Sequence, residues 1–246
     1  MDNIELIRPD WRVSTRVNAC VTTRVGGYSS APYDSLNVGN HVDDDPESVQ
    51  HNRKRLSRIL GLPSEPKWLN QVHGKTVLNA AQIQFGDQAD ASFSHESGVV
   101  CVVMTADCLP VFFSNVEGRE VAVAHAGWRG LCSGVLEATI DAMQAPPSRI
   151  VAWLGPAIGP ECFEVGDDVR SAFQQTDSAA TQAFRSSSNG KWLADIYTLA
   201  RLRLERVGIK KLFGGGLCTF QDGRRFYSYR RDGPQSGRMA SLIWME

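Results

Sequence analysis

At 246 residues, 42% of them hydrophobic and 22% charged, the chain can bury a full core as one domain spanning 1–246. Its 26 basic and 27 acidic residues leave a net charge of -1, so no global field draws it to nucleic acid or anionic lipid. No apolar run approaches the ~20 residues of a membrane span, and the opening MDNIELIRPDWRV lacks the charged head and apolar stretch of a signal peptide.

A cytoplasmic location and a monomer or weak homodimer are therefore expected. The six cysteines are scattered, unlike those of a disulfide-stapled secreted scaffold. Residues 18–24 read as a short strand closed by the Gly26-Gly27 turn. The polar stretch that follows has no periodicity, and a connection of that length is expected to be functional. Asp44 or Asp45 caps a helix with Pro46 and Glu47 in its first turn, and the helix stops at Gly61. Val49, Leu56, Ile59 and Leu60 are its expected apolar contacts. Arg53, Lys54, Arg55 and Arg58 form a solvated face or, through Arg53 or Arg55, an anchor for a substrate phosphate.

Strands are expected at 67–72, 76–78, 98–104, 111–113 and 120–124, and the near-continuous apolar runs 98–104 and 120–124 are expected to be central. The pattern from Gly127 to about Met143 is helical, with Leu131, Val135, Leu136, Thr139 and Ile140 on one face. A further central strand, 150–154, leads into the rigid GPAIGP loop (155–160). Residues 168–173 and 194–207 supply helices and 209–213 a strand. The aromatic-basic stretch 226–231 reads as a cavity wall or a terminal strand. Strand and helix interleave without a clean βαβ period, which predicts an α+β fold: a mixed α/β sandwich with central β-sheets flanked by helices.

Three strings carry the chemistry: QVHG (71–74), TADCLP (105–110) and HAGWRG (125–130). Each places a ligand or reactive group where a strand is expected to end, and neighbouring strands would bring His73, Cys108 and His125 together. Two imidazoles and a thiolate make a three-ligand zinc site with one open position, where a coordinated water would become more acidic. The same atoms allow a Cys108 thiolate nucleophile activated by His125 or His73, with Asp107 orienting the imidazole. Asp107 is also a candidate general acid-base group. Arg129 could hold an anion near a helix start at Gly130, or simply stack on Trp128. Tyr229 and Arg230 could line one wall. The histidines, His41, His51, His73, His95 and His125, include no His-x-His pair and fall short of the roughly ten imidazoles of a multicopper oxidase. No dinucleotide fingerprint or Walker A string occurs.

Together with SLNVGNH (35–41), NRKRL (52–56), GPAIGP, FEVG (163–166) and FYSYRRD (226–232), these strings resemble the multicopper polyphenol oxidase, or laccase-domain, family, described as zinc-dependent purine nucleoside phosphorylases, in its short bacterial form. The resemblance implies zinc on His73, Cys108 and His125. It implies phosphorolysis of adenosine, inosine, guanosine and S-methyl-5′-thioadenosine to base and ribose 1-phosphate, with adenosine deamination as a second activity. His73, Asp107, Cys108 and His125 are then the expected catalytic residues. Asn37, His41, Arg53, Arg129, Tyr229 and Arg230 would bind the nucleoside and inorganic phosphate. A second label in the family, a peptidoglycan editing factor removing L-serine from UDP-N-acetylmuramyl-L-serine, and a fold grouped with Cys-His toxin deamidases keep a hydrolase reading open.

Overall fold

The computed structural model describes residues 4–246, so Met1–Asn3 of the stretch read as lacking a signal lie outside the described residues. The first half holds β1 (Leu6–Ile7), β2 (Val17–Thr22), α1 (Pro46–Leu60), β3 (Val77–Asn79), β4 (Ala91–Ser94), β5 (Cys101–Thr105), β6 (Leu109–Asn115) and β7 (Val121–Ala126). The second holds α2 (Trp128–Ser133), α3 (Val135–Ala142), β8 (Ile150–Leu154), β9 (Glu164–Val165), α4 (Asp167–Thr176), β10 (Phe184–Ser186) and β11 (Trp192–Ala194). The chain ends with α5 (Ile196–Arg206), β12 (Lys211–Gly214), α6 (Tyr229–Asp232) and β13 (Met239–Met245). Among the described residues no helix is long and apolar enough to cross a membrane.

A six-stranded sheet runs β12-β8-β6-β7-β4-β3, and a four-stranded sheet runs β1-β2-β13-β5. A third, small sheet runs β10-β11-β9. The pleat sends alternate side chains to opposite faces. Phe112, Val121, Val123 and Trp153 of the larger sheet pack with Val21, Cys101, Val103 and Ile243 of the smaller one. Val111, Phe113, Ala122 and Ala124 point the other way, onto Leu136 and Ile140 of α3 and Leu199 and Leu204 of α5. Behind the four-stranded sheet, Val102, Leu242 and Trp244 pack with Leu36, Val38 and Leu56 of α1. Two sheets with helices outside are the expected mixed sandwich. Strands 101–105, 109–115, 121–126 and 150–154 are buried throughout because both faces are covered.

The elements depart from the sequence reading in several places. Residues 67–72 form no strand; one bridge, Asn70 to Gln88, is all that pairs there. The expected helix 127–143 is two helices, because Gly134 turns left-handed at φ 100° and caps α2. Ile59, expected on the buried face of α1, is 41% exposed. The stretch 226–231 is no strand: Ser228 accepts from the Arg231 N–H and caps the short α6. Finally the short β1, β9, β10 and β11 are not among the expected strands, nor are β4 and the wholly buried β13, which complete the two larger sheets.

Candidate metal centre and substrate cavity

His73, Cys108 and His125 do converge, but not from neighbouring strand ends of one sheet. Strand β5 pairs with β13, whereas β6 and β7 belong to the larger sheet. Cys108 therefore sits on the short connection where the chain passes from one sheet to the other. His125 lies near the end of β7, and His73 projects from an irregular loop with φ 59°. Asp107, just before Cys108, also has a positive φ, 84°. A side chain tolerates that region poorly, so surrounding bonds must hold both turns.

For the His73 turn they come from one buried carboxylate. Asp90 accepts the His73 N–H at 2.9 Å, the Gly74 N–H at 2.6 Å and the Val72 N–H at 3.3 Å. It also bonds His125 Nδ1 at 2.8 Å, which leaves Nε2 free to face the cluster. The 67–72 stretch stays close to β5 through Gln71, whose amide donates to the Met104 carbonyl at 2.8 Å and accepts its N–H at 2.7 Å. The side chain thus makes the two bonds that a paired strand residue would make.

Cys108 Sγ lies 3.9 Å from His73 Nε2, and the ligand atoms of the three residues all fall within 4.8 Å of one another. This donor set, two imidazoles and a thiolate with an open side, fits one tetrahedral ion of the zinc type. Gly127 makes the fit possible: a Cβ there would come within 2.8 Å of His73 Cδ2 and 3.0 Å of Cys108 Sγ. Without an ion the cluster is already polarised. Burial pushes the Cys108 thiol up, but His125 and His73 outweigh it and bring it down to about 6. Burial likewise pushes His125 down, and Cys108 and Asp90 overcome this to raise it to about 9.

The cluster opens into a cavity of about 990 Å³, lined by His41, Arg53, Arg129, Tyr229 and Arg230 among the residues expected at the site. Asn37 is not on that wall. It is buried, and its amide bonds Asp44, the Gly39 backbone and the Arg238 N–H. Asp107 faces the cavity but both its oxygens are engaged, by Thr219, Ser228 and the Arg230 N–H at 2.6–3.0 Å. The group that orients an imidazole is Asp90, not Asp107, because it is Asp90 that reaches His125 Nδ1. Trp68, Phe85 and Arg238 also line the cavity. No motif marks Asp90, Phe85 or Arg238 in the sequence, so residue type alone gave no signal for them.

The multi-copper polyphenol oxidoreductase laccase family matches residues 18–246. The chain belongs to that family. Within it, the chain is 54% identical to the purine nucleoside phosphorylase YfiH of Escherichia coli K12, covering 98% of this chain and 99% of the relative. It is 54% identical to the purine nucleoside phosphorylase PA4543 of Pseudomonas aeruginosa, over 98% of both chains. Among solved structures, protein NMB0706 of Neisseria meningitidis superposes with a TM-score of 0.94 at 49% identity, covering 98% of this chain and 99% of the other. YlmD of Geobacillus stearothermophilus follows the same fold with a TM-score of 0.85 at 31% identity, over 94% and 93%. Despite the copper in the family's name, the one cluster of three or more metal-ligating side chains among the described residues is His73, Cys108 and His125.

Proposed function

We propose that this chain is a zinc-dependent purine nucleoside phosphorylase that also deaminates adenosine. The observation that carries the reading is a three-ligand His-Cys-His cluster opening into a deep, arginine-lined cavity of about 990 Å³. The names of the relatives supply the substrate class. In phosphorolysis a phosphate oxygen bonds to C1′ of ribose as the C1′–N9 bond breaks, and the electron pair leaves with the purine, which takes up a proton. Bound at His73, Cys108 and His125, zinc would supply Lewis acidity and an acidified water for deamination.

The remaining contributions come from the protein. Cationic side chains of the wall offset the phosphate charge, and Trp68, Phe85 and Tyr229 give flat apolar surface for a base. Asp90 fixes the tautomer and orientation of His125. Asp107, expected to carry protons, instead holds the Tyr229–Arg230 wall against Cys108, since its oxygens are spent on Thr219, Ser228 and the Arg230 backbone.

Mass-resolved products from adenosine and zinc-loaded protein, with and without phosphate, test this reading. Adenine and ribose 1-phosphate should form only with phosphate, and inosine in both samples, part of it carried on to hypoxanthine where phosphate is present. If none of the three forms while metal content is verified, the nucleoside reading fails.

One arrangement favours a second reading. Cys108, His125 and Asp90 form a thiol-imidazole-carboxylate series of the kind that activates a nucleophile. An amidase of that type, including one acting on the L-serine-containing muramyl precursor, would need no phosphate and would gain activity when a chelator frees the sulfur. The phosphorylase would lose it.

A further inference from the structure

Four arginines line the cavity, and they differ in how they are held. Arg53 is half-buried. Its Nε donates to the Val38 carbonyl at 2.9 Å, its Nη2 touches Met104 Sδ at 3.8 Å, and its guanidinium lies 4.0 Å over the Trp68 ring. Arg238 is half-buried too, with Nη1 donating to the Ser236 and Gly237 carbonyls at 2.6 and 3.0 Å.

The two are braced on the same short loop. The Val38 N–H donates to the Arg238 carbonyl at 3.3 Å, the Arg238 N–H donates to Asn37 Oδ1 at 2.9 Å, and Gly39 leaves room for the Arg238 stem. A Cβ on Gly39 would stand 2.7 Å from Arg238 Cγ. His41 follows two residues later and faces the same cavity.

Among the described residues neither guanidinium is ion-paired with a carboxylate. Each nevertheless has donors left after its backbone bonds. Burial draws Arg53 down to about 10, which leaves it cationic at neutral pH. Two braced forks with no direct carboxylate pair, beside an imidazole, form an anion site much of whose ordering cost is met before the ligand arrives.

The other two arginines also have no carboxylate pair among the described residues, but both are exposed, so less of their ordering is met by burial. Arg230 is exposed and spends Nη1 on the Cys162 and Glu164 carbonyls, next to the Glu164 carboxylate that pairs with Lys191. Arg129 is exposed and rests on its neighbour Trp128, with its guanidinium carbon 4.5 Å from the ring centroid.

We propose that inorganic phosphate docks in the corner formed by His41, Arg53 and Arg238, and not between Arg129 and Arg230. The assignment rests on the phosphorylase reading for its ligand. It adds Arg238, and it gives Asn37 the role of a positioning residue that sets Arg238 through its backbone.

The test compares Arg53→Met, Arg238→Met, Arg129→Met and Arg230→Met in the zinc-loaded enzyme. It measures KM for phosphate with inosine saturating, inosine affinity without phosphate, and phosphate binding by 31P line broadening. Losing one charge-assisted fork should weaken phosphate about 10- to 100-fold in Arg53→Met and Arg238→Met. Inosine affinity should stay within about twofold in both variants, and Arg129→Met should weaken phosphate less than either.

If Arg53→Met fails to fold, Arg53→Lys and Arg238→Lys keep the question open to measurement: each retains charge, loses the fork, and should show an intermediate loss. A phosphate defect in Arg129→Met or Arg230→Met with Arg53 and Arg238 variants unaffected overturns the assignment. If the wild type turns over nothing with phosphate, the phosphorylase reading fails separately. The 31P titration then still decides the corner: binding lost in Arg238→Met supports an anion site, and no wild-type binding overturns it.

Discussion

Asp90 concentrates more of the site's geometry than any of the three ligands does. Its carboxylate fixes the ring of His125 and, through three backbone N–H groups, the left-handed turn that carries His73. In Asp90→Asn one oxygen can still accept, but the amide nitrogen turns a donor toward N–H groups that also donate, and the charge is lost. We expect zinc affinity to fall about 10- to 100-fold, measured by competition with a chromophoric chelator. Unchanged affinity would mean that the histidines are held by packing alone. The ligands were legible because His and Cys in Gly- and Pro-marked strings state their chemistry by residue type. Asp90 and Arg238 were not, since an aspartate and an arginine in plain surroundings look like solvated charges until the chain folds over them. Asn37 shows the converse: it sits in a distinctive string, yet it acts through the Arg238 backbone and not on the cavity wall.

At the scale of elements, strands covered on both faces could be read directly from unbroken apolar runs, as for β5, β7 and β8. Irregular segments could not. Residues 67–72 carry strand-like composition, but Gln71 makes the pairing bonds with its side chain and leaves Val72 47% exposed. The α2–α3 break is the other case. Leu131, Val135, Leu136 and Ile140 keep helical spacing across it, so periodicity ran through a glycine that in fact ends one helix and begins the next. A Cβ at Gly134 would meet nothing closer than 3.6 Å, so the cost of Gly134→Ala is conformational and not steric. Forcing alanine to φ near 100° should destabilise the fold by about 1–2 kcal/mol. Urea unfolding should show this as a lower midpoint with an unchanged slope. An equal or higher midpoint would indicate that a continuous helix is as stable as the broken one.

Across the whole molecule, the candidate centre adds a further tie between parts that the β5–β6 connection, a few hydrogen bonds and packing already hold together. His73 comes from a loop beside the four-stranded sheet, Cys108 from the connection between sheets, and His125 from the six-stranded sheet. An ion held by all three ties the two sheets of the sandwich, and it binds a geometry that the unfolded chain does not offer. Mass action then requires metal-linked stability: at a free concentration 100 times Kd the native state gains about 2.7 kcal/mol. For a chain of this length that is a rise in Tm of roughly 5–11 °C. Differential scanning of the protein in excess zinc and after dialysis against a chelator should show this difference. Cys108→Ala, at a half-buried position, should still fold but lose most of the zinc-dependent shift. If the chelator leaves Tm unchanged in the wild type, the three side chains do not hold an ion across the sheets, and the thiol-imidazole reading of the same residues gains the ground. If both proteins shift equally, zinc binds somewhere else.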